Sequence, residues 1–168
     1  MKKNSLRLLV GTAIFTALVC AATIVITIPV PVTGGYIHPG DGIALLAGWL
    51  LGPFWGAAAA GIGSAMADLL LGYVVYVPGT LIIKGMIGLV AGCIARALKR
   101  RRLSAVIAAV AAEAVMVLGY FLYESVILGY GMAAAAAVPG NLIQALGGIV
   151  IFTVLSAVLR PVRIFEQK

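Results

Sequence analysis

From Leu6 to Ile28 the chain carries one charge, Arg7, and no proline. As a helix this stretch is roughly 33 Å long, enough to cross the hydrocarbon of a bilayer. Apolar stretches follow at 41–52, 54–72, 80–98, 103–128 and 140–159. In lipid every backbone N–H and C=O must be satisfied within the protein, which leaves helices or a closed barrel, and runs of this length are helical. Could a soluble domain hold them instead? Apolar residues make up 63% of the 168 and charged ones only 10%, against about a quarter charged in ordinary domains. That is too little polarity to wet an outer surface. The chain is predicted to be an all-α, polytopic membrane protein, with six transmembrane helices in a single transmembrane domain over residues 1–168.

The breaks between runs carry turn residues. Pro29 and Pro31 end the first run, and Pro29–Gly40 (PVPVTGGYIHPG) has no helical period, so it is expected to be a loop. Gly52-Pro53 is a tight turn, Tyr73–Gly79 a second loop, and a Gly- and Ala-rich connection leads to Pro139. Pro161 stops the last run. Asp41 is placed to cap the second run, which offers only about 18 Å of helix. The basic flank of the first run, with Ala21 and Ala22, resembles a cleavable signal. Its continuation to Ile28 favours a retained helix.

The charges give an orientation. Lys2, Lys3 and Arg7 precede the first apolar run; Arg96, Lys99, Arg100, Arg101 and Arg102 sit in one connection; Arg160, Arg163 and Lys168 come last. Basic residues stay on the cytoplasmic side. If the third run crossed without the second, the Arg96–Arg102 cluster would lie opposite the amino terminus. The two therefore cross together or form a re-entrant hairpin, and six crossings with both termini cytoplasmic fit the charges best. The expected location is a bacterial or archaeal cytoplasmic membrane, with anionic lipids against the basic clusters.

Several function classes fall away. The net charge of +7 has no aromatic stacking platform beside it, so nucleic acid is not an expected partner. Cys20 and Cys93 lie in apolar runs and read as small filler. No zinc or haem pattern exists, and no metal or cofactor is called for. There is no GxxxxGK[ST], HExxH or GxSxG. With five acids and one histidine, no catalytic residue is assigned and the chain is not expected to be an enzyme.

Of the twelve Lys and Arg residues, all but Lys84 fall on the cytoplasmic side of this topology. Lys84 would sit near the outer level, either snorkelling to the interface or facing the bundle interior near Glu124 or Asp68. Asp68, Glu124, Asn141 and Gln144 fall at a similar depth on other helices. Ionisable groups there face a cavity or one another. Tyr120 lies one turn before Glu124, so the two share a face. Glu124 either meets a ligand or only pairs with Lys84. Asn141 and Gln144, three apart, could read a heterocycle with amide donors and acceptors, or Asn141 could cap its helix. Tyr36 and His38 lie in the first outer loop, which could close over a site. Asp41 and Asp68 are open between structural and binding roles, and Glu113, deeper in its helix, reads as structural. Ala13, Ala17 and Ala21 form a small-residue stripe on the first helix, and Gly61 and Ala65 a similar one on the third; such stripes serve close packing or docking of another membrane protein.

Residues 28–92, beginning IPVPVTGGYIHPGDGIALLAGWLLGPFWG and continuing through YVPGTLIIKGMIGLVAG, resemble the substrate-binding S component of energy-coupling factor (ECF) vitamin transporters, and PGNLIQ at 139–144 fits too. The branch resembled is that of riboflavin, hydroxymethylpyrimidine and pyridoxine. The resemblance implies an outward-facing vitamin pocket with the loop after the first helix as a lid, matching Tyr36 and His38. It implies pocket side chains from the last three helices, matching Lys84, Tyr120, Glu124, Asn141 and Gln144. It also implies that Ala13 and Ala17 meet a transmembrane coupling subunit, itself driven by two ATPase subunits. Lysine and glutamate together match no one vitamin. The alternative reading is a small membrane scaffold whose polar residues only lock helices.

Overall fold

The computed structural model describes residues 3–31 and 33–159. Lys2, Arg160, Pro161, Arg163 and Lys168 lie outside them. The chain forms α1 (Lys3–Val25), β1 (Ile28–Val30), β2 (Gly35–Ile37), α2 (Asp41–Leu51), α3 (Pro53–Leu71), α4 (Val77–Ala97), α5 (Arg102–Leu122) and α6 (Val138–Val158). A π-helical turn, Tyr123–Ile127, prolongs α5, and a 3₁₀ segment, Gly131–Ala137, leads into α6. Apart from α2, the helices are long and apolar enough to cross a membrane.

Punctuation residues act as helix starts and stops. Pro53, Pro78 and Pro139 sit in the first turns of α3, α4 and α6, where a missing N–H costs nothing. Gly72 ends α3 in the left-handed conformation, φ 84°, and the Tyr73 N–H returns to the Asp68 carbonyl at 2.8 Å. The expected bounds move accordingly. Helix α1 stops at Val25 rather than Ile28. Helix α4 starts at Val77, so Pro78-Gly79 begins the helix instead of closing a loop.

The largest departure is in 29–40. β1 and β2 pair antiparallel, with Ile28 opposite Ile37, Pro29 opposite Tyr36 and Val30 opposite Gly35. Gly34 turns the chain at φ +65°. Two prolines argue against a strand in the middle of a sheet, but a two-stranded ribbon is all edge, and there proline is tolerated.

Helix α2 is the centre of the bundle. It packs against α1, α3, α4 and α6, and nine of its eleven residues are buried. Surrounded by other helices, it runs from Asp41, just after β2, to Leu51, and the Leu50 carbonyl accepts a hydrogen bond from Arg100 in the basic connection, so its eleven residues reach from one polar end of the bundle toward the other. Glycines set the approach of its neighbours. A Cβ on Gly48 would stand 2.2 Å from the Gly88 carbonyl oxygen, one on Gly56 2.3 Å from the Gly48 Cα, and one on Gly88 2.4 Å from the Gly56 oxygen. Here α2, α3 and α4 meet backbone to backbone. Large apolar side chains such as Leu70, Ile82, Leu103 and Val150 point outward, as they do when lipid is the solvent.

Candidate functional site

The β-hairpin covers one end of the bundle, and the buried polar side chains gather beneath it. They come from different elements, each of which places polar side chains at this level. Asp41 opens α2, Asp68 lies in the last turn of α3, Thr80 and Lys84 lie in the first two turns of α4, Glu124 follows α5, and Asn141 and Gln144 lie in the first two turns of α6. Under the hairpin, all of these except Asp41 and Lys84 line a cavity of about 20 Å³, room on the order of one water.

Of the residues expected to bind a ligand, Tyr36, His38, Asp68, Tyr120, Glu124, Asn141 and Gln144 line this cavity. Lys84 does not. It is fully buried behind Tyr120, its Nζ 5.3 Å from the ring centroid, and it forms a salt bridge and hydrogen bond with Asp41 Oδ1. Lys84 therefore faces the bundle interior, as one of the two expectations had it, and two readings are corrected: it does not snorkel, and it does not pair with Glu124. Its carboxylate is Asp41, 43 positions away. Asp41 likewise makes no side-chain cap on α2. Gln144 Nε2 donates to its other oxygen, Oδ2, at 2.7 Å. Asn141 is no cap either, since α6 starts at Val138.

Two latches hold the hairpin down. The Tyr36 hydroxyl donates to Asp68 Oδ1 at 2.6 Å, and the His38 backbone N–H donates to Gln144 Oε1 at 2.9 Å. Gln144 thus ties the hairpin to the Asp41–Lys84 pair. His38 is buried rather than solvated, and its Nδ1 accepts the Gly40 N–H at 3.1 Å. Tyr76, Thr80 and Thr33 also face the cavity, and sequence reasoning missed all three. The Tyr76 hydroxyl lies 2.8 Å from the Thr33 carbonyl and 3.1 Å from Glu124 Oε1. Those of Thr80 and Tyr120 are 3.0 Å apart. Tyrosines beside a helix start were the available signal for Tyr76; threonine in a membrane helix carries almost none.

Burial, helped by the Lys84 charge and opposed by Asp41, lowers the His38 pKa to about 3. Burial also raises the Tyr36 and Tyr76 hydroxyls above the usual phenol range, so both stay protonated donors. His38 gives a pH prediction. Its folded value lies below its unfolded value of about 6.5, so the unfolded chain takes up the proton first. Stability is then full above pH 6.5 and falls as pH drops toward 3, by up to about 1.4 kcal/mol per pH unit. Melting curves in detergent between pH 8 and 4 should show that slope. His38→Gln, which cannot titrate, should flatten it; equal slopes in both proteins would contradict the assignment.

Glu113 is 2% exposed and neither carboxyl oxygen has a partner. It lies outside the cavity lining, against Gly148 and close to Asp41. Along α1 and α3, Ala13, Ala17 and Ala21 line an open groove of about 640 Å³ with Thr16 and Met66.

Residues 3–161 match the family model described as ECF-type riboflavin transporter, S component. A Pyrococcus woesei protein described as "Uncharacterized protein in gap 3'region" is 35% identical over 145 residues, which cover 84% of this chain and 94% of that protein.

Proposed function

The chain belongs to the family of ECF-type riboflavin transporter S components, substrate-binding components of transporters rather than enzymes, and from that premise we propose that it captures a small water-soluble vitamin or vitamin precursor. The hydroxymethylpyrimidine, pyridoxine and riboflavin class is the substrate range proposed. The observation that carries this reading is the polar cavity itself. Buried hydroxyl, amide and carboxyl groups converge under a hairpin at one end of an otherwise apolar bundle, and sites of this kind bind small ligands.

The closed cavity is too small for any vitamin, so binding requires the hairpin to lift. Breaking the Tyr36–Asp68 and His38–Gln144 bonds frees Asp68 and Gln144 to meet a ligand, with Tyr120 as its aromatic wall. Tyr36, His38, Glu124 and Asn141 complete the proposed site; Lys84 supports it from behind. The hairpin end faces outward in this proposal and both termini are cytoplasmic, consistent with the basic Arg96–Arg101 connection at the opposite end of α4. Having no nucleotide-binding motif, the chain relies on a transmembrane coupling subunit and two ATPase subunits to deliver the vitamin inward. The Ala13–Ala17–Ala21 groove is the proposed docking face.

Binding and transport should therefore separate genetically. Ala17→Leu fills the groove at a residue that does not line the cavity. In cells expressing the coupling module, this variant should lose vitamin uptake, while the purified protein still binds vitamin as the parent does. Unchanged uptake, or loss of binding together with uptake, would overturn the docking assignment.

A further inference from the structure

The atoms left without partners around the cavity are mostly acceptors. Asp68 and Glu124 are each 3% exposed, and each has one oxygen engaged by a tyrosine hydroxyl. The second oxygens, Asp68 Oδ2 and Glu124 Oε2, make no hydrogen bond. Thr80, the neighbour of Asp68, has its hydroxyl within reach of Tyr120. The Thr33 hydroxyl, 2% exposed, stands beside Glu124 but makes no hydrogen bond at normal geometry. A buried acceptor without a donor is costly, so native proteins seldom leave two in one cavity unless something else supplies the donor. Lys84 is the one buried Lys or Arg among the described residues. It is held by Asp41 and does not reach the cavity. The wall thus offers two carboxyl oxygens and no available cation.

Resting on the vitamin-binding reading above, we infer that the ligand is a neutral or cationic heteroaromatic base carrying at least two N–H or O–H donors and no phosphate or carboxylate. One donor meets Asp68 Oδ2 from the α3 side and another meets Glu124 Oε2 from the α5 side. Asn141 is left to serve a ring acceptor, since an amide can donate as well as accept. An amino-azine suits a carboxyl in either protonation state, because the shared proton can sit on the ring nitrogen or on the oxygen. A phosphate or carboxylate would instead bring a further anion against buried carboxyls, with the one nearby cation, Lys84, already paired to Asp41.

The test is titration calorimetry on the full chain in detergent. The donor-bearing probes are 4-amino-5-hydroxymethyl-2-methylpyrimidine, pyridoxamine, thiamine and riboflavin. Against them stand their phosphate esters, with biotin and pantothenate as carboxylate vitamins. The tightest ligand should be an unphosphorylated donor-bearing compound, with its phosphate ester about 100-fold weaker or worse. Glu124→Gln and Asp68→Asn, which keep shape, should each weaken it by about 10- to 100-fold, the worth of one charge-assisted hydrogen bond. A phosphate ester or carboxylate vitamin binding as tightly, or both variants binding like the parent, would overturn this inference and leave the vitamin-binding reading standing. Binding of no compound at all would remove both.

Discussion

Lys84→Met should destabilise the protein by about 3–5 kcal/mol, because it strands a buried carboxylate. Asp41 and Lys84 are both fully buried and pair with each other. Methionine fills a similar volume and removes the charge, leaving Asp41 with Gln144 as its remaining hydrogen-bond donor. The consequence reaches the cavity, since Gln144 also holds the His38 backbone. The double variant Asp41→Asn/Lys84→Met removes both charges and should recover much of the loss. Thermal unfolding in detergent of the parent, the two single variants and the double variant measures this directly. A Lys84→Met protein that melts with the parent would mean that the pair is not the strut described here. If Lys84 were a ligand contact, its loss would abolish binding while the fold survived; the pairing with Asp41 predicts that the fold weakens first.

Gly88→Ala should be the more damaging of two chemically identical changes on α4. The added methyl would stand 2.4 Å from the Gly56 carbonyl oxygen and 2.8 Å from the Ala57 nitrogen. These are backbone atoms of another helix, which cannot rotate away as a side chain can. Overpacking of this kind costs about 1–3 kcal/mol and occasionally more, and here α2 also bears on the contact through Gly48. Gly85→Ala, three residues earlier, places its methyl no closer than 3.6 Å to another atom. That change should be neutral, or should stabilise by roughly 0.5–1 kcal/mol through helix propensity. Size-exclusion profiles and melting temperatures of the two purified variants decide the matter. Similar behaviour of the two would show that the α2–α3–α4 approach is looser than described.

What could be read from the sequence follows from which interactions are local. The apolar runs marked the helices, because length and hydropathy are properties of one segment. Proline and glycine marked most ends to within a few residues for the same reason. Seven of the expected ligand residues do line one cavity, since a depth assigned along each helix brings polar groups to one level. Depth does not fix rotation about the helix axis, however. Lys84 stands at the expected level but turns toward α2, where Asp41 is, and not toward Glu124. Nor does hydropathy say which helix is surrounded. Helix α2 read as a short crossing, and hydropathy gave no sign that its four neighbours also make it the core. The hairpin was hidden by Pro29 and Pro31, which are compatible with pairing only because both strands are edges. Tyr76 was hidden in a connection that gave no sign of folding back over Thr33 and Glu124.

The Tyr36–Asp68 and His38–Gln144 bonds join these levels. Residues that close the hairpin are contributed by the helices that would hold the ligand, so closure and binding compete for the same side chains. Asp68 and Gln144 each hold the hairpin, and under the proposed function lifting it would release both.

Under the proposed function this chain alone, without a coupling module, binds a vitamin beneath the hairpin. The most direct measurement is the melting temperature of the purified protein across a vitamin panel, with free ligand far above Kd. At least one vitamin should stabilise the protein, by about 2.7 kcal/mol when ligand is roughly 100-fold above Kd. Asn141→Leu, which removes a cavity amide, should lose that gain. A panel that leaves the melting temperature unchanged throughout would contradict the proposed function.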